Sequence, residues 1–161
     1  MIARNTSRQK GAETGARNGF SLIELLIVVA IILIIAAIAI PNLLRAKISA
    51  NEASAVSSIH SVNTAEIAYS SANPLIGFSA ALADLGPANG GYIDASLASG
   101  TKSGYTLTYV LTAGAPSQGY TFNADPEKRA VTGQRSFYSD QGNVTHYDPS
   151  NPATAASLTL Q

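Results

Sequence analysis

Residues 20–40 read FSLIELLIVVAIILIIAAIAI, an apolar run broken by one acid, Glu24. As an α-helix this run is about 31 Å long at ~1.5 Å per residue. That matches a hydrocarbon core of about 30 Å, so the segment belongs in lipid or among similar helices. A secretory signal peptide has a shorter apolar stretch followed by a small-residue cleavage site. Here the residues that follow, Ala39-Ile40-Pro41, match such a site poorly. The zero net charge conceals an asymmetry: Arg4, Arg8, Lys10 and Arg17 face only Glu13 before the run, whereas six basic and nine acidic residues follow Gly19. A basic N-terminal flank holds its own side of a membrane segment in the cytoplasm. A mildly acidic body does not suit nucleic-acid binding.

Glu24 is the residue that a plain anchor does not explain. A carboxylate costs roughly 2.5 kcal/mol or more near the bilayer centre and less near its edge. No Lys, Arg or His lies between Gly19 and Arg45, so the segment supplies no cation for it. Either Glu24 sits at the interface and stays hydrated, or a cut at Gly19-Phe20 frees an α-amine with which it pairs.

The stretch Asn18-Gly19-Phe20-Ser21-Leu22-Ile23-Glu24 resembles the prepilin peptidase signature of type IV pilins and type II secretion pseudopilins. The resemblance implies a cleaved basic leader over residues 1–19 and peptidase cleavage after Gly19. It also implies N-methylation of Phe20 and an assembly role for Glu24. Pro41 stands about where these pilins carry a helix-kinking proline. Asn51-Glu52-Ala53, Asn63-Thr64-Ala65-Glu66 and Gly133-Gln134-Arg135-Ser136-Phe137-Tyr138-Ser139-Asp140 are similar to later parts of such chains.

Downstream, periodicity predicts one helix over about 20–71, weakened at Pro41, which removes an N–H and crowds the preceding turn. Ile48, Ala55, Ile59, Val62 and Tyr69 fall at helical steps on one face, with Glu52, Ser58, Asn63 and Ser70 read as mostly off it. Residues 20–45 form the transmembrane and assembly half, and 46–161 a globular head. Residues 73–104 are rich in breakers and read as loop, with a short helical turn near Ala80–Leu85. From Tyr105 the period becomes two. Strands are expected at 105–111, 119–123, 135–139 and 143–147, the last two joined through Asp140-Gln141-Gly142. The expected fold is α+β and pilin-like, with three or four antiparallel strands over 105–147 laid on the second half of the helix. The tail from 148 to 161 is expected to be loose.

Nothing in the sequence points to an enzyme. The chain has no cysteine and two histidines, His60 and His146, neither at zinc-site spacing. No glycine-rich phosphate loop opens a helix. Asp125, Glu127, Asp140 and Asp148 are oxygen donors of the kind calcium takes, but their scatter reads as turn carboxylates, so no metal or cofactor is expected. The aromatics of the second half alternate as ordinary sheet residues. Two function classes remain. One is a filament subunit, in a surface pilus or a secretion pseudopilus. It would be processed by prepilin peptidase, held as a single-pass inner-membrane protein with its head outside the cytoplasm, and polymerised by the inner-membrane assembly machinery into a homo-oligomer exported as an extracellular pilus. The other is a membrane-tethered binding protein whose helix is a plain anchor.

Overall fold

A computed structural model describes residues 19–160. The expected leader therefore lies outside the described residues except for Gly19. Gly19, Phe20 and Ser21 precede the first helix, α1, which runs Leu22–Ala72 over 51 residues and holds Pro41 inside its bounds. The chain divides into two compact units between Ala39 and Ile40.

In the first unit, α1 is long and apolar enough to cross a membrane, and its most apolar stretch is wholly unburied. Leu22 through Ile38 expose their side chains almost without interruption. An exposed apolar surface of this extent marks a segment whose partners are lipid or other proteins.

In the second unit, α1 lies against an antiparallel sheet. Ala55, Ile59 and Val62 are fully buried, and Ile48 and Tyr69 are half-buried at the two ends of the stripe. The stripe is broader and more polar than expected. Glu52, Ser58, Asn63 and Glu66 are buried as well, which corrects the placement of Glu52, Ser58 and Asn63 off the buried face. The reason lies in the spacing. Glu52 and Glu66 fill the two seven-residue gaps, 48 to 55 and 62 to 69, at the same three- and four-residue steps as their apolar neighbours.

The sheet has six strands in sequential order rather than three or four: β1 Thr101–Lys102, β2 Tyr105–Leu111, β3 Tyr120–Pro126, β4 Ser136–Asp140, β5 His146–Asp148 and β6 Leu158–Thr159. The long pair β2–β3 runs from Tyr105 opposite Pro126 to Leu111 opposite Tyr120. Alternation decides its faces: Tyr105, Leu107, Tyr120, Phe122 and Ala124 are buried, while Thr106 and Thr108 are exposed. Phe137 of β4 completes the wall that meets Ile59 and Val62. Each large side chain removed from water contributes about 1.5–3 kcal/mol.

The two added strands are the short ones. β1 lies within the stretch read as loop, which also forms two 3-10 turns at Leu82–Leu85 and Pro87–Asn89 and the short helix α2, Ala95–Ala98. β6 lies in the tail expected to be loose, where Leu158 pairs with Tyr147 and Thr159 with His146. Ala153 in the same tail is 2% exposed, and its carbonyl accepts a hydrogen bond from Asn123 Nδ2 at 2.8 Å. Two-residue strands carry no period for a sequence reading to detect. At the other end of the head, Gly77 adopts φ +85° and lies so close to the Ser117 backbone that a Cβ would overlap it. Only glycine meets both conditions.

Candidate functional site

The start of α1 holds the motif residues. Ser21 is the last residue before the helix, and Glu24 lies in its first turn. Glu24 Oε2 accepts a hydrogen bond from the Ser21 backbone N–H at 2.9 Å. This is the acidic half of a capping box, in which the residue at N3 reaches back to the N-cap amide. Sequence reasoning looked only for a cation and missed this partner, although the Ser-x-x-Glu spacing of Ser21 and Glu24 signals it. The carboxylate thus stands at the positive end of the helix dipole. Ahead of it, Gly19 and Phe20 are non-helical and exposed, Phe20 at 81%. A Cβ added to Gly19 would meet nothing within 4 Å, so the described fold does not itself require glycine there.

The head carries a second set of functional groups, all of them supports. Glu52 accepts hydrogen bonds from Gln134 N at 2.9 Å and Arg135 N at 3.0 Å, and its Oε2 lies 2.8 Å from Arg135 Nε. Burial alone raises its pKa. The two backbone donors and the guanidinium outweigh burial and hold the carboxyl below its ordinary value. Glu66, wholly buried, accepts from the Ser79 backbone N–H at 3.0 Å and from the Ser79 hydroxyl. Tyr109 donates its phenol to the Ser79 carbonyl at 2.9 Å, and Tyr120 donates to Asn63 Oδ1 at 2.9 Å. Asn63 Nδ2 in turn donates to Ser139 Oγ at 2.9 Å. The rings of Tyr109 and Tyr120 stack with centroids 5.6 Å apart, and burial pushes both phenols well above the ordinary range. These groups fasten the helix to the sheet and to the loop that follows it.

Stability should therefore depend on acid through Glu52. Its folded pKa lies below the unfolded value of about 4.3. Its contribution is complete above that value and is lost as pH falls through the folded value. Glu52→Gln should cost about 2 kcal/mol at pH 7 by weakening the pair with half-exposed Arg135 and the two amide bonds. Thermal melts at pH 7 and pH 3 check this. The variant should melt lower at pH 7, and its deficit against the unsubstituted chain should shrink at pH 3.

The other candidate ligands are not gathered. Asp140 faces Thr121 across β3–β4, whereas Asp125 pairs with Thr106, four residues further along β3 and about 14 Å away at ~3.4 Å per residue. Asp140 accepts from Gly142 N at 2.8 Å, and Asp148 accepts from Asn151 N and Ser150 N. These are turn-closing bonds of the Asx kind. His146 Nδ1 lies 2.9 Å from the Ser157 carbonyl, and His60 is exposed. Among the described residues, no three His, Cys, Asp or Glu side chains are grouped to hold a metal.

No curated protein and no solved structure gave a match. A family model did, over a segment that includes Gly19, Phe20 and the start of α1. Residues 15–40 match the prokaryotic N-terminal methylation motif, which is typical of the prepilins of type IV pilins and pseudopilins.

Proposed function

We propose that this chain is the precursor of a type IV pilus-like filament subunit, cut by prepilin peptidase between Gly19 and Phe20, methylated at Phe20 and polymerised through α1. The observation that carries the reading is the methylation motif at the head of an exposed apolar helix. Gly19 supports it. Glycine is free of steric demand from the described residues around it, which fits a demand set by an outside enzyme that closes on the backbone. Phe20 and Gly19 lie outside the helix, and an extended peptide is the form a peptidase engages. The basic leader stays in the cytoplasm, the apolar half of α1 crosses the inner membrane, and the head lies outside. The filament is a homo-oligomer at the cell surface, built by the inner-membrane assembly machinery. A secretion pseudopilus would use the same processing. The head's aromatic hairpin and the second half of the long helix favour the pilus.

Mass spectrometry of the mature subunit tests this reading. The expected N-terminus is Phe20, heavier by one methyl group. Gly19→Val should leave the chain at precursor length. Assembled subunit that retains Met1 or begins after Ala39 would overturn the proposal, as would normal cleavage of Gly19→Val.

A further inference from the structure

The loop region between α1 and β1 carries an asparagine that the fold leaves chemically open. Asn89 ends the three-residue 3-10 turn Pro87–Asn89, and Gly90 follows it; both are exposed. The turn has no side-chain cap. Its main-chain bonds pass Gly90 by. Asn89 N and Gly91 N both donate to the Gly86 carbonyl at 3.0 Å, whereas Gly90 N makes no hydrogen bond among the described residues. The Asn89 side chain is held no better. Its bond from Nδ2 to the Ala83 carbonyl is 3.4 Å long, beyond the usual range of about 2.7–3.2 Å. Gly90 has φ +132°, which glycine adopts without strain, and it sets no Cβ beside its own nitrogen.

These two groups react with each other. Once Gly90 N loses its proton, it attacks Asn89 Cγ and closes a five-membered ring. The N–Cγ bond forms, the Cγ–Nδ2 bond breaks, and the side-chain nitrogen leaves as ammonia with the proton that Gly90 gave up. Water then opens the cyclic imide at either carbonyl. One opening gives aspartate at position 89 and the other gives isoaspartate, in which the main chain runs through the side-chain carbon.

The other asparagines of the described residues are protected. Asn42, Asn51 and Asn63 lie inside α1. Asn73 and Asn151 precede prolines, which have no N–H to deprotonate. Asn123 lies in β3, and its Nδ2 donates to the Ala153 carbonyl at 2.8 Å. Asn143 is exposed but precedes Val144, whose branched side chain crowds the attacking nitrogen.

We infer that Asn89 is a site of spontaneous deamidation, needing no enzyme and no reactant but water. The site lies in the head and does not depend on how the chain is processed or assembled. The reaction takes the full chain from a formal net charge of zero at pH 7 to one negative charge. The isoaspartate form also lengthens the main chain by one methylene just ahead of Tyr92. The Tyr92 ring would lie 2.7 Å from a Cβ on Gly90 and meets Tyr69 of α1 edge-on, with centroids 6.0 Å apart. The modified loop therefore sits differently against the helix.

The test uses the full chain in detergent micelles, kept at 37 °C and sampled over weeks at pH 7 and pH 9. Samples are digested at low pH, and each asparagine is followed by mass spectrometry as the exchange of ammonia for water. Asn18-Gly19 is the other Asn-Gly pair of the sequence; Asn18 lies outside the described residues and serves as the internal reference. Asn89 should convert at least tenfold faster than Asn143, and faster at pH 9 than at pH 7. It should keep at least a tenth of the rate it shows in the same chain unfolded in urea. Asn89→Gln, which would have to close a larger ring, should abolish conversion at position 89 and leave Asn18 as it was. Conversion of Asn89 no faster than that of Asn143, while Asn18 reacts, would overturn the site. A rate below a tenth of that in urea would overturn it too, since the turn would then shield the two groups.

Discussion

Glu24→Ala should reduce sheared filaments more than tenfold relative to the membrane pool, while the head folds and the helix inserts as before. After a cut at Gly19, the nearest cation to Glu24 is the new α-amine of Phe20. The amine and the acid of one chain lie at the same end of one helix, yet the amine can meet the Glu24 of a staggered neighbour. In lipid an unpaired carboxylate is neutralised or draws water inward. Pairing it inside a growing bundle removes that penalty and sets the stagger, while small residues such as Ala30, Ala36 and Ala37 allow close approach.

The bond from Ser21 N to Glu24 Oε2 sharpens the test. Alanine also removes this cap, which costs about 1 kcal/mol at one helix end. A helix of 51 residues anchored by apolar burial is not unfolded by that loss. Glu24→Gln keeps an acceptor that suits a capping box and removes the charge, so an intermediate filament yield is expected. Immunoblots of sheared and membrane fractions measure the ratio. Normal yield from Glu24→Ala at normal subunit level would return Glu24 to a capping role at a hydrated interface.

The sequence was legible where chemistry or period was strong. The 20–40 run, its lone acid and the glycine–aromatic pair located the motif that the family model matches at 15–40. The strand at 105–111 coincides with β2 because Tyr, Thr, Leu and Val alternate there without interruption. Legibility failed where one residue type had two meanings. Glu52 and Glu66 are charged, and a search for apolar faces passes over charged residues even when they sit in register. Their partners include backbone amides of Gln134, Arg135 and Ser79, which carry no side-chain signature, and the side chains of Arg135 and Ser79 lie 83 and 13 residues away in the sequence. β1 and β6 failed for a different reason, since a two-residue strand has no alternation to read and its pairing depends on the turns around it.

Glu66→Ala should destabilise the head by about 3–4 kcal/mol, a large share of the 5–15 kcal/mol typical of a domain. The side chain is fully buried, so truncation leaves a cavity in a wall formed with Val62 and Tyr109. It also strands the Ser79 amide, which donates to Glu66 at 3.0 Å, and a buried amide without an acceptor costs about 1–3 kcal/mol. The Ser79 hydroxyl loses its acceptor too, but it can turn toward the Ala81 carbonyl at 3.2 Å. For a head of this size the melting temperature should fall by roughly 15 °C. The charge itself is not what the site requires, because the donors on Glu66 are a neutral amide and a neutral hydroxyl. Glu66→Gln retains the volume and one acceptor, and the hydroxyl of Ser79 can reverse its role to accept from the new amide. Its cost should be about 1 kcal/mol. In a cycle with Ser79→Ala the two effects should fall short of additive, since both changes remove the same contact. Thermal melts of the parent, the single variants and the double variant, followed by circular dichroism, decide it. If Glu66→Gln is as damaging as Glu66→Ala, the carboxylate is held for its charge and a cationic partner must be sought. If neither change lowers the melting temperature, Glu66 is not part of the fastening between helix and sheet.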